Sequence, residues 1–104
     1  MIRQFDVLAN PVASARRAWP FLLCVQHDNL SYLPFRLVAP LALTQVIREP
    51  SRLYPQVRVG RSALIFIPHD LTSRPVKQLG EPVASLLSER ERIVAALDLV
   101  FTGI

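Results

Sequence analysis

The sequence predicts a small, mostly antiparallel β domain closed or covered by one C-terminal helix, and three observations carry that expectation. Nine prolines, at 11, 20, 34, 40, 50, 55, 68, 75 and 82, leave few proline-free windows longer than about a dozen residues. Each removes an N–H donor and blocks a helix interior, so most of the chain is expected as short strands and turns. Several of the windows between them read as strands, some alternating apolar and polar residues with a period of two. After Pro82 the period changes to three and four, the spacing of one helix face.

Taken in order, residues 4–8 alternate Phe5 and Val7 with Gln4 and Asp6, residues 21–26 form an apolar run, and residues 35–39 follow Pro34. A short helix is expected at residues 41–49, stopped by Pro50. Residues 56–59 alternate Val57 and Val59 with Gln56 and Arg58, and Gly60-Arg61 then leads into residues 62–67, a spacing that suits a β-hairpin.

Near the end, Ser88 is followed three residues later by Glu91, the spacing of a capping box. Behind it Ile93, Leu97, Val100, Phe101 and Ile104 form one apolar stripe. Burying such side chains stabilises by roughly 1.5 to 3 kcal/mol each, more than a terminal helix loses by fraying, so the helix end is expected to be docked. The opposite face, Glu91, Ala95, Asp98 and Thr102 at i, i+4, i+7 and i+11, is expected to be exposed.

At 104 residues the chain has room for one domain, spanning 1–104, large enough to fold without metal or disulfide staples. Cys24 is the only cysteine, so no intramolecular disulfide can form, which suits a reducing cytosol. Neither a signal peptide nor an apolar run of about 18 to 20 residues is visible, and a soluble cytoplasmic protein is expected, with no membrane partner. Net charge is +4, and all of the twelve basic residues except Lys77 are arginine. That balance suits an acidic partner, although the arginines form no run longer than two and read mainly as solvated charges.

Catalytic signatures are absent from the sequence. The adjacent pairs His27-Asp28 and His69-Asp70 point their side chains to opposite faces of an extended chain and read as turn or strand-end residues. Cys24, His27 and His69 fit no zinc-ligand spacing, the three glycines form no phosphate loop, and no cofactor is implied. Trp19, between Arg16-Arg17 and Pro20, reads as an aromatic plug where a loop enters a strand, in preference to a base-stacking residue.

An ordered set of short matches runs along almost the whole chain. It comprises Gln4-Phe5 with Val7, Val25-Gln26 with Asp28, Pro40-Leu41-Ala42, and Leu53-Tyr54-Pro55 with Val57, Val59 and Gly60. Asp70-Leu71 with Ser73, Pro75 and Val76 follows, then Gly80-Glu81 with Val83-Ala84 and Leu86, and finally Ile93, Ala96, Leu97, Leu99, Phe101 and Gly103-Ile104. In order and near-spacing this set resembles the CcdB family, toxins of bacterial toxin-antitoxin modules, with the main length difference around residues 10–20.

The resemblance implies an SH3-like barrel, a five-stranded antiparallel sheet with a C-terminal α-helix, assembled as a homodimer. It implies a toxin, not an enzyme, that binds the A subunit of DNA gyrase and traps the gyrase on cleaved DNA. A CcdA-like antitoxin would remove it, and the two together would repress their own operon, operator DNA being met only through that complex. By register the gyrase-binding surface is Thr102, Gly103 and Ile104 with Asp98, Ala95 and Glu91 along the helix, joined by Leu30 and Ser31 in a loop.

The chain departs from the family at that surface, because Thr102 stands where the gyrase-poisoning members have tryptophan. Losing a tryptophan hot spot of about 2 to 4 kcal/mol weakens binding roughly 30- to 1000-fold unless something compensates. Glu91 and Asp98 facing partner arginines would compensate, as would a changed gyrase in this host. Two alternatives follow: a homologue that keeps the fold and the antitoxin but does not poison gyrase, and an RNA-cleaving toxin on the same fold that uses side chains such as His69 and Arg58.

Overall fold

The computed structural model describes residues 1–44 and 50–104. They form strands β1 (Asp6–Ala9), β2 (Phe21–Cys24), β3 (Phe35–Leu43), β4 (Gln56–Val59), β5 (Ser62–Phe66), β6 (Thr72–Pro75) and β7 (Ala84–Ser85), then one helix, α1 (Arg90–Thr102). The pairings are all antiparallel, in the order β4-β5-β3-β2-β1-β7, with β6 also on β3. The fold is the expected mostly-β barrel sheet with a C-terminal helix. Two short strands, β6 and β7, extend the five expected; they lie in stretches rich in proline and polar residues and carry no alternation to mark them.

Alternation along β1, β2, β3 and β5 feeds two sides of the sheet at once. Val7, Leu23, Ala39, Leu41, Leu64 and Phe66 enter the main core with Phe5, Ile93 and Ala96. Their neighbours Leu8, Leu22, Cys24 and Val38 enter a second cluster, closed by Ile2 and Leu79, and Ala42, Ile65 and Ile67 a third under Tyr54. Covering both faces explains why these strands read as nearly continuous apolar runs.

The helix expected at residues 41–49 is corrected at its start. Leu41, Ala42 and Leu43 continue β3, where Leu41 pairs with both Phe21 and Phe66, and residues 45–49 lie outside the described part. Proline at position 40 did not end the strand as Pro34 began it, for a local reason. β3 pairs with β6 through Val38 and with β5 from Leu41, so Pro40 sits in the gap between those partners. Its carbonyl accepts Ile67 N–H at 3.1 Å, and the Ile67 carbonyl, which faces the missing donor, accepts Asp70 N–H at 3.4 Å instead.

The hairpin is where the sequence placed it, with Val59 opposite Ser62 around Gly60-Arg61. Gly60 has φ +60° and Arg61 is not in the left-handed region, the pattern of a type II′ turn. β1 begins later than expected, because Phe5 adopts φ +70°, rare for a bulky side chain. Burial of its ring, a bond from its N–H to Cys24 O and one from Leu86 N–H to its carbonyl hold it there.

Candidate partner-binding site

α1 is reached through a 3-10 turn over Leu87–Glu89, and this corrects the expected cap. Ser88 lies inside that turn; the helix starts at Arg90 and has no side-chain cap. Ser85 Oγ accepts the Leu87 N–H instead, at 3.2 Å. Arg92 then fixes the start of the helix to the sheet, donating from Nη2 to Gln56 O at 2.8 Å while its Nη1 pairs with Glu89.

The docked stripe is also corrected. Burial is complete only at Ile93 and Ala96, in the first half of α1. Leu97 and Val100 are half-buried, and Phe101 and Ile104 are 69% and 86% exposed. The helix is therefore anchored at its start and carries its last turn clear of the core.

Glu91, Ala95, Asp98 and Thr102 are all exposed, as expected. At 100° per residue they fall within an arc of about 60° and span about 16 Å of helix. The structure adds a wall beside the first two of them. Ser51, Arg52 and Pro55 form a groove of about 390 Å³ with Glu91, Arg92 and Ala95. Sequence reasoning missed Arg52 there, since an isolated arginine in a turn carries no spacing signal.

At the other end Gly103 closes the helix in the left-handed conformation, φ +78°, its N–H bonded to Leu99 O at 3.1 Å. Thr102 Oγ1 donates to Asp98 O at 2.7 Å and accepts Ile104 N–H at 3.4 Å. Its hydroxyl is thus committed to the helix end. The large side chains exposed at the end of the helix are apolar: Phe101 and Ile104.

Charge along this face is negative on a basic protein. The one ion pair among the described residues is Arg92 with Glu89, so neither Glu91 nor Asp98 has a charged partner there. Asp98 also stands near the negative end of the helix dipole, with no basic residue in the last turn. Both features leave a site that a guanidinium or ammonium group would stabilise.

Leu30 and Ser31 end and follow the 3-10 turn Asp28–Leu30 between β2 and β3. No described hydrogen bond or groove joins them to α1. Their loop is firmly held from beneath: Gln26 donates to Leu30 O and Phe35 O, and the buried Arg36 guanidinium donates to Ile2, Ser31, Leu33 and Phe35 carbonyls.

The histidines occupy turns, as read from the sequence. His27 Nδ1 accepts Asn29 N–H at 3.0 Å, while Asp28 turns away to accept Gln4 N–H. His69 Nε2 lies 2.8 Å from the Tyr54 hydroxyl. Trp19 is not the plug expected of it: it stays 37% exposed on the wall of a cleft on the other side of the sheet.

Comparison with known proteins settles the lineage. The sequence matches the family described as CcdB protein over residues 4–103. The chain belongs to the CcdB family. Among solved structures, this CcdB-family chain is similar to an endoribonuclease in complex with its cognate antitoxin from Mycobacterial species. The TM-score is 0.77 at 11% identity, over 97% of this chain and 95% of that one. A likeness at that identity concerns the fold, and it agrees with the barrel sheet and helix described above. Among the described residues no helix is long and apolar enough to cross a membrane.

Proposed function

We propose that this CcdB-family protein is the toxin of a toxin-antitoxin pair, that it acts as a homodimer, and that it inhibits DNA gyrase by binding the gyrase A subunit through the exposed face of α1. It performs no catalysis of its own. The observation that carries this reading is the α1 surface: Glu91, Ala95, Asp98 and Thr102 aligned and exposed, two carboxylates without charged partners among the described residues, and an apolar tip at Gly103 and Ile104. Carboxylates beside a desolvated apolar contact suit a partner that brings arginine. An antitoxin of acidic character removes the toxin from gyrase, and the pair represses its own operon.

The test is purified protein with its host's gyrase and supercoiled DNA, scoring trapped double-strand breaks, with Ile104→Ala and Thr102→Trp beside wild type. Breaks that disappear with Ile104→Ala support the reading. Breaks from Thr102→Trp alone would instead identify a family member that keeps the scaffold and has lost the poisoning residue.

A second reading, RNA cleavage on the same fold, has two observations in its favour: the endoribonuclease among similar structures, and the exposed pairing of His69 with Tyr54. RNA left intact by the pure protein would dismiss it. Cleavage lost in His69→Ala or Arg58→Ala would put it first.

A further inference from the structure

On the face of the sheet away from α1, the 10–20 connection borders a cleft of about 200 Å³. Its apolar lining includes Val12, Trp19, Leu22 and Val38, and its rim carries Asp70 and Arg74. The connection is held in shape by its own bonds: Asn10 Nδ2 donates to Trp19 O, Asn10 Oδ1 accepts Val12 N–H, and Arg16 Nε donates to Asn10 O. Val12 and Trp19 remain 38% and 37% exposed in that lining.

The charges around the cleft are unbalanced. Arg74 lies directly across from Arg36 on β3, so two guanidinium groups project from the same face. Four of the five Arg36 N–H donors are taken by carbonyls. Arg74 Nε is buried without a hydrogen-bond partner, and no carboxylate among the described residues forms an ion pair with it. A buried donor left in that state is unfavourable, and an anion that reaches the Arg74 guanidinium would supply the missing acceptor. Beside it, β6 pairs only with β3 among the described residues, leaving its other edge open to an extended chain.

We propose that this cleft binds an extended, acidic peptide segment, with a bulky apolar side chain against Trp19 and Val12 and a neighbouring carboxylate on Arg74. A nucleic acid fits less well, because the lining is largely apolar and Arg74 is the only cation among the described lining residues, too few for a polyanionic backbone. The inference deepens the partner half of the reading above and rests on it only for the peptide's source. The gyrase assay does not involve this face, so the two fail separately.

Trp19 is the only tryptophan, so its fluorescence reports on the cleft directly. The experiment titrates the full chain with acetyl-Leu-Glu-Leu-amide and with acetyl-Leu-Gln-Leu-amide, then repeats both with Arg74→Gln after checking its thermal melt. The expected result is a saturable emission change with the glutamate peptide, weaker by roughly tenfold for either the glutamine peptide or the variant, the scale of one charged hydrogen bond. Equal binding of both peptides, or no saturable change, overturns the proposal, and the peptide comparison stands even if the variant folds poorly. A single-stranded RNA oligonucleotide that shifts Trp19 when the peptides do not would also overturn it.

Discussion

Asp98 serves the helix badly, and in the proposed function it serves the partner surface. An acidic group near a helix C-terminus is unfavourable by about 0.3 to 1 kcal/mol, and no basic residue in the last turn offsets it. Asp98→Lys is therefore expected to raise the melting temperature slightly while weakening gyrase binding, measured by thermal melt and by pull-down of the gyrase A subunit; a variant that binds as well as wild type would remove Asp98 from the contact. Cys24 makes the opposite case, a residue that is wholly structural. Burial pushes its thiol up from the ordinary value, chiefly by desolvation of the thiolate. The neutral thiol is favoured in the folded state, so stability is undiminished below the ordinary thiol range and falls as pH climbs through it. Alkylation by iodoacetamide at neutral pH is accordingly expected only after denaturation, and rapid labelling of the native protein would contradict that.

Within α1 the two halves have different tasks. Ile93 is completely buried and Ile104 is 86% exposed, though both belong to the same sequence stripe. Ile93→Ala is expected to cost about 2 to 5 kcal/mol of folding stability, whereas Ile104→Ala should leave the denaturation midpoint unchanged within about 0.5 kcal/mol and abolish the gyrase effect. Similar stability losses from both variants would mean that the last turn is docked. The β4–β5 hairpin offers a comparable test of backbone conformation. Gly60 has φ +60° with open space around its Cα, so Gly60→Ala meets no clash and acts through backbone strain alone. A loss of about 1 kcal/mol in urea denaturation is expected; Gly80→Ala, also in open space and without positive φ, should have far less effect.

Across the whole molecule, a net charge of +4 coexists with an acidic helix face on one side of the sheet and an unpaired guanidinium nitrogen on the other. An acidic antitoxin segment is expected to bind with an affinity that falls as salt rises, because long-range attraction is screened beyond about 8 Å at physiological ionic strength. Salt-independent affinity would argue against electrostatic recognition. The arginines that read as scattered in the sequence have distinct tasks in three dimensions: Arg36 holds a loop through carbonyls, Arg92 holds the helix to β4, and Arg74 is left without a partner at Nε. Linear spacing could not sort them, because each partner lies on a different element.

The sequence by itself determined the β-rich class, four of the strands to within about two residues at most ends, the hairpin turn and the existence of one C-terminal helix. These follow from local chemistry: proline's missing donor, the period of two, a glycine where φ must be positive, and the period of three and four. It also placed Glu91, Ala95, Asp98 and Thr102 on one exposed face, since helical geometry alone fixes that. Only the tertiary structure decided where the apolar stripe stops being core, because burial depends on what the sheet offers to each turn of α1: it is complete at Ile93 and Ala96, partial at Leu97, and lost at Phe101 and Ile104. It alone turned residues 41–43 into strand, through pairing with β2 and β5 that local propensity does not register. The groove at Arg52 and the cleft at Arg74 likewise exist only because distant segments meet, and no periodicity in a chain records such a meeting.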